Sequence, residues 1–329
     1  MKTSANLGAI ALIAFSLTAC KKPSEGVKTG STQSSESSKI SFQMEKARLR
    51  IFIKEKPFAD YIFSDPVTTR PYFAHVKSPA GLQATRNHPP DPESDPTDHS
   101  SMHPGIWMSF GDINGHDYWR LKAKVRHEAF IQLPEVNGLQ GAFTVRNSYW
   151  SSDDSTVVAQ EETRYTVNIL AQGYQLLIDS RFSPMGDTPK IVFGDQEEFG
   201  LSVRVATPIS EKSGGVMTDS EGRRGAQAIW SKSGKWIDYS GEIEGQWIGM
   251  TVFTDPQNFR PSWFHARDYG LIVANPFGRK AMQAGSESEV VVDKGQQLRL
   301  RYGILVHSTP QSTDYDAAAS YTNFLSLLN

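Results

Sequence analysis

From residue 40 onward, apolar and polar positions alternate with a period of two. Residues 47–53 (ARLRIFI) are one such run. That period puts successive side chains on opposite faces of a strand. The runs at 163–169 (TRYTVNI) and 174–182 (YQLLIDSRF) flank a turn near Gln172-Gly173 and predict a hairpin. Residues 200–206, 247–253, 270–274 and 297–307 continue the pattern, spaced by Gly, Pro, Asp and Asn. So many short alternating runs predict an all-β fold, a large antiparallel β-sandwich built as one domain over residues 41–329. The C-terminus alone reads as a helix. Tyr321, Phe324, Leu325 and Leu328 fall at helical spacing, with Asp314 expected as the cap. Residues 88–104 form the one long irregular, proline-rich segment, and long ordered loops in compact domains are usually functional.

The first forty residues follow another pattern. Lys2 precedes an apolar stretch from Leu7 to Leu17 and small residues before Cys20. The stretch is about half the ~20 residues a spanning helix needs, so it reads as a signal segment over residues 1–19. Leu17-Thr18-Ala19-Cys20 resembles a bacterial lipobox, in which the cysteine is lipidated after cleavage. Residues 20–40 then form a Ser-, Thr-, Gly- and Lys-rich tether. No aspartate follows Cys20, which favours the outer membrane of the cell envelope, with membrane contact through the lipid anchor alone.

Composition narrows the choice further. The chain has 329 residues, a formal net charge of −2 and one cysteine. No basic excess points to nucleic acid, and one cysteine excludes a disulfide framework or a cysteine-rich metal site within the chain. Seven Trp and seventeen Phe favour strands and aromatic ligand platforms.

Four segments carry candidate chemistry. The first spans residues 98–119, with His99, His103, Trp107, Asn114 and Trp119. Histidine serves as acid, base or metal ligand, and a tryptophan beside a polar cluster suits the apolar face of a sugar. The second, residues 196–200 (QEEFG), reads as solvated turn charges. The third holds Glu221 and, amid aromatics, Asp238, which serves either as a raised-pKa acid or as a turn residue bonding local backbone. In the fourth, Trp263, His265 and Arg267 share one strand face, followed by Asp268 and Asn275. No nucleophile elbow, phosphate loop, dinucleotide fingerprint or HExxH motif is present. No cofactor is expected. A metal ion has ligands on offer in His99, His103 and His265, but no tight spacing demands one.

Together these segments resemble the PmoA-like family of bacterial secreted proteins. The resemblance covers roughly residues 50–306. It rests on Arg70-Pro71-Tyr72-Phe73, Thr85-Arg86, the Asp98–His103 cluster with Gly105-Ile106-Trp107, and residues 111–115 (GDING). It rests also on residues 219–222 (DSEG), 236–241 (WIDYSG), 265–270 (HARDYG) and 275–278 (NPFG). The family pattern in the first cluster is closer to DHxHHRG, from which residues 101–104 (SMHP) depart. The layout also resembles the galactose mutarotase-like supersandwich, which implies histidines and a carboxylate set on a sheet against a sugar. The expectation is a carbohydrate-active protein working on a glycoside or oxidised sugar by hydrolysis, elimination or epimerisation. His103 and His265 are then acid and base, Glu221 or Asp238 their carboxylate partner, and Arg267 an oxyanion stabiliser. Trp107 and Trp119 would stack on the sugar, with His99, Asn114, Asp268 and Asn275 as further contacts. The rivals are a non-catalytic glycan-binding lipoprotein and a histidine-ligated metal enzyme.

Overall fold

Two antiparallel eight-stranded sheets pack face to face in the computed structural model, which describes residues 39–328. In spatial order the first sheet runs β1 (Ile40–Met44), β2 (Arg48–Ile53), β3 (Lys56–Ile62), β4 (Tyr72–Ala74), β5 (Ile106–Phe110), β11 (Phe199–Arg204), β16 (Leu271–Asn275) and β15 (Trp263–Arg267). The second runs β12 (Val216–Asp219), β13 (Trp236–Ile243), β14 (Gln246–Thr254), β18 (Leu298–Thr309), β9 (Tyr174–Pro184), β8 (Val157–Ile169), β7 (Gln140–Trp150) and β6 (Val125–Asn137). A short ribbon pairs β10 (Lys190–Phe193) with β17 (Val290–Asp293). The predicted hairpin is β8 and β9, in register from Ile169 opposite Tyr174 to Ala159 opposite Pro184.

Alternation decides what each face buries. In the first sheet Leu201, Val203, Phe264, Ala266, Ile272 and Ala274 point inward, and in the second Ile237, Tyr239, Ile248, Met250, Ile304 and Val306 meet them in one apolar core. Each sheet also buries part of its outer face. On the first, Tyr72, Ala74, Trp107, Trp119, Leu271 and Val273 form a second cluster. On the second, Phe253 and Leu305 are covered by Phe324.

Phe324 belongs to the C-terminal helix α2 (Ala317–Ser326), whose apolar stripe lies on the second sheet. Its cap is Asp316, which accepts from the Ala319 N–H at 2.9 Å. Asp314, the expected cap, lies in the preceding 3-10 turn. Sequence periodicity also missed the one-turn helix α1 (Ala226–Ile229), too short to show a helical repeat. The expected leader, Cys20 and most of the expected tether lie outside the described residues.

Candidate active site

Four neighbouring strands build a floor on the outer face of the first sheet. With Phe264 and Ala266 committed to the core, His265 and Arg267 of β15 must face outward. For the same reason Arg204 of β11, Leu271 and Val273 of β16 and Trp107 of β5 face outward. The irregular segment before β5 folds over this floor, and three arginines hold it there.

Arg86, 1% exposed, donates to the carbonyls of Asp98 at 2.8 Å, Pro96 at 3.0 Å, His103 at 3.2 Å and His99 at 3.4 Å. Arg70, also buried, donates at 2.9 Å to the carbonyls of Tyr118 and Trp119 and closely to that of Met102. Arg204 grips the Asp98 carboxylate with both ends of its guanidinium, at 3.0 and 3.1 Å. Planar forks of this kind suit a carboxylate and a row of carbonyls, where a lysine would supply only a point charge. The segment enters β5 at Gly105, with φ +146° and no room for a Cβ, which would meet the Phe73 carbonyl oxygen at 2.3 Å.

The resulting cleft is about 110 Å³ and is lined by His99, His103, Arg120, Glu198, His265, Arg267 and Tyr269. Behind two of these side chains, His265 and Arg267, stands Glu197, in the loop leading into β11. One oxygen of that carboxylate lies 2.6 Å from Arg267 Nη2, 2.7 Å from the Trp230 Nε1 and 3.0 Å from His265 Nδ1. The last contact is close enough for an ion pair but is not aligned as a hydrogen bond. Burial by itself would raise the Glu197 carboxyl, but His265, Trp230 and Arg267 outweigh it and hold it down to about 2. Glu198, beside it, pairs with Arg120.

On the opposite wall His103 is sandwiched between His99, with centroids 4.5 Å apart and planes at 10°, and Trp107, at 5.2 Å and 23°. Burial, and then the positive field of Arg204, push His103 well below the usual imidazole value, so it is neutral. Arg204 Nη1 lies 3.3 Å from its Nδ1 and can only donate, which assigns the ring proton to Nε2. His99 is half exposed and pairs with Asp98 at 2.8 Å.

Asp98, His99 and His103 have ligand atoms within 4.8 Å of one another, as a metal site would need. Their chemistry fits a cation poorly. Arg204 and Arg86 already neutralise Asp98, and Arg204 occupies the His103 Nδ1 lone pair. His265, expected as the third ligand, turns its Nδ1 to Glu197 instead.

The cleft therefore gathers His99, His103, His265 and Arg267 from segments more than 150 residues apart. Other expected site residues lie elsewhere. Trp107 and Trp119 are each 2% exposed, packed as apolar floor under the loop, so neither presents a face to a ligand, although Trp119 borders the cleft. Asn114 closes a turn onto β10, its amide bonded to the Lys190 carbonyl and the Val192 N–H. The Asp268 carboxylate points to solvent beside Lys212 at 3.7 Å. Asn275 is fully buried and holds the Glu197 loop, donating to the carbonyls of Gln196 at 2.8 Å and Glu197 at 3.1 Å. Glu221 is exposed in a turn organised by Asp219, which accepts from the Glu221 and Arg223 N–H groups. Asp238 is buried on the other sheet. Missed from sequence were Glu197, read as a turn charge, and Arg120, Arg204 and Tyr269. Arg204 carried a usable signal, a charge alternating with core residues in GLSVRVA; Glu197 lies off any strand and carried none.

These features define a two-sheet antiparallel β-sandwich with a histidine- and arginine-rich cleft on one outer face. The chain belongs to DUF6807, a family of unknown function whose model matches residues 48–322. None of the curated proteins compared with it matches. Among solved structures it is similar to the GH36 α-galactosidase AgaA from Geobacillus stearothermophilus, at 11% identity and a TM-score of 0.37 over 83% of this chain and 41% of that one. It is also similar to a galactose mutarotase-like protein from Lactobacillus casei, at 6% identity and a TM-score of 0.30 over 82% of this chain and 100% of that one. The chain thus spans less than half the length of the α-galactosidase.

Proposed function

We propose that the cleft on the first sheet acts on carbohydrate by proton transfer, with His265 as base and Glu197 as the carboxylate that orients it. The observation that carries this reading is the convergence of His265, Arg267 and Trp230 on one ionised carboxylate, across a cleft from the neutral His103. A carboxylate beside Nδ1 holds the proton there and leaves Nε2 as the basic atom. Arg267, Arg120 and the Nε2–H of His103 supply donors for charge developing on a substrate oxygen.

Glu197, held near 2, is a poor proton donor at neutral pH. Hydrolysis by a carboxylic acid and carboxylate pair is therefore disfavoured. Elimination or epimerisation fits better, on a sugar whose C–H is acidified by a neighbouring carbonyl, such as a keto-glycoside or a uronate. A volume of about 110 Å³ admits only part of one ring. We further propose that the protein is an envelope lipoprotein anchored through Cys20, on the strength of the lipobox-like tetrad and the tether.

The test is incubation with plain glycosides, 3-keto-glycosides and uronates in D2O, followed by NMR for deuterium uptake and product. The expected result is exchange or turnover of a carbonyl-bearing sugar, reduced roughly 10²- to 10⁴-fold by His265→Asn or Glu197→Gln with folding intact. Binding without exchange or product would instead mark a non-catalytic glycan-binding protein, and undiminished turnover in both variants would refute the assignment.

A further inference from the structure

A larger cavity, about 590 Å³, lies on the outer face of the second sheet. That size falls within the range of pockets that enclose small ligands. Its floor is β13, where alternation again sets direction. Ile237 and Tyr239 enter the core, so Trp236, Asp238 and Ser240 face outward. On β14, Ile248 and Met250 are inward and Trp247 and Thr251 outward. Trp236 pairs with Phe253, and Trp247 with Glu242. The two tryptophans therefore stand six positions apart along the sheet, about 20 Å at the backbone, one toward each end of a trough. The chain leading into α2 forms the wall.

Midway between the indoles lies a buried polar chain. Thr251 Oγ1 donates to Asp238 Oδ1 at 2.7 Å, and Ser240 Oγ to Oδ2 at 2.7 Å. His307 Nε2 lies 3.0 Å from Oδ1. Thr251 has one proton and gives it to Asp238, so the Tyr315 hydroxyl bonded to it must be the donor. The Tyr315 ring lies flat on His307, centroids 3.6 Å apart. Gly249 makes this possible, because a Cβ there would come within 2.4 Å of His307 Nε2. An ionised carboxylate has about four acceptor sites. Three are filled, and the carboxylate borders the cavity with one to spare. Asp238 and Asp316 face the trough against Arg224, an excess of negative charge.

We propose that this trough is a second carbohydrate site, separate from the cleft on the first sheet, and that it binds an extended neutral glycan. Sugar C–H faces lie on Trp236 and Trp247, and a hydroxyl between them donates to Asp238. The excess of carboxylates rejects acidic glycans. Length is part of the assignment, because a monosaccharide reaches only one indole. The inference rests on the trough alone and not on the chemistry proposed for the other cleft.

The test is calorimetric titration with cellohexaose, maltohexaose, xylohexaose, mannohexaose and hexagalacturonate, alongside the corresponding monosaccharides. At least one neutral hexasaccharide should bind, and its monosaccharide at least about tenfold more weakly. Trp247→Ala and Trp236→Ala, both half-buried and the latter packed against the Phe253, Leu305 and Phe324 cluster, are each checked for folding by circular dichroism and should weaken binding by a similar factor. Glu197→Gln, in the other cleft, should leave it unchanged. The proposal is overturned if no neutral hexasaccharide binds or if hexagalacturonate binds equally well. It is overturned too if both tryptophan variants bind as the wild type does, or if Glu197→Gln removes the binding.

Discussion

His103 and His265 face one cleft from surroundings of opposite charge. His265 has a carboxylate beside it, whereas His103 has an arginine beside it. The consequence for stability has a definite sign. An unfolded histidine titrates near 6.5, and folded His103 titrates well below that. Below pH 6.5 the unfolded chain therefore binds a proton that the folded one refuses, and stability falls as pH falls. His88, lowered to about 4 by burial first, adds a loss of the same sign between pH 6.5 and 4. Glu197 loses its contribution only below the ordinary carboxylate value, as pH drops toward 2. Denaturation between pH 7 and 5 thus isolates the histidines, each costing up to about 1.4 kcal/mol per pH unit. His103→Gln should have a shallower slope over that range than the wild type, whatever its stability at pH 7. Equal slopes would mean that His103 is not held neutral.

At the scale of elements, the segment before β5 behaves as a lid built in place rather than one that closes. Its carbonyls, which a strand partner would otherwise satisfy, are taken by Arg86 and Arg70. Burial, and then Arg204, lower the Arg86 guanidinium to about 10, still charged at neutral pH. Arg86→Met keeps most of the volume and removes the donors, leaving the buried His103 carbonyl unpaired at about 1–3 kcal/mol and loosening the partly buried carbonyls of Pro96, Asp98 and His99. The expected result is a loss on the order of 3 kcal/mol, together with faster amide hydrogen exchange confined to residues 88–104. Unchanged exchange there would show that the loop is held by something other than this arginine. The second sheet uses a different cover. Phe324 of α2 packs over Gly303, which has no side chain, and stacks on Phe253 at 5.3 Å.

For the molecule as a whole, the sandwich separates two polar sites by its entire core, one on each outer face. The cleft is small and rich in arginine, and the trough is large, aromatic and acidic. Such a pair suits a protein that holds a glycan on one side and works on a sugar on the other. Among the described residues no helix is long and apolar enough to cross a membrane; the lipid anchor proposed at Cys20 has its own test. Cys20→Ser should move the protein from the membrane fraction to the soluble fraction of the expressing cells. Retention on membranes after a high-salt wash would rule the anchor out.

Local alternation along the chain was enough to show an all-β sandwich, runs such as 47–53, 200–206, 247–253 and 297–307 as strands, and the hairpin of β8 and β9, but not β6, β7 or β13. Those follow from local alternation and local turns. It also determined that His265 and Arg267 share a face, because two positions on one strand cannot do otherwise. Only the tertiary structure decided what lies against that face. Glu197 rather than Asp238 meets His265, since strand order across the sheet sets which distant segments are neighbours, and no local pattern encodes that order. Outward did not mean exposed: Trp107 points away from the core but is covered by a loop, and whether a face is roofed depends on arginines far away in the chain. Asp238 found its partner His307 sixty-nine residues downstream on β18, which lies beyond β14 in the same sheet, a pairing that exists only once β13, β14 and β18 lie side by side.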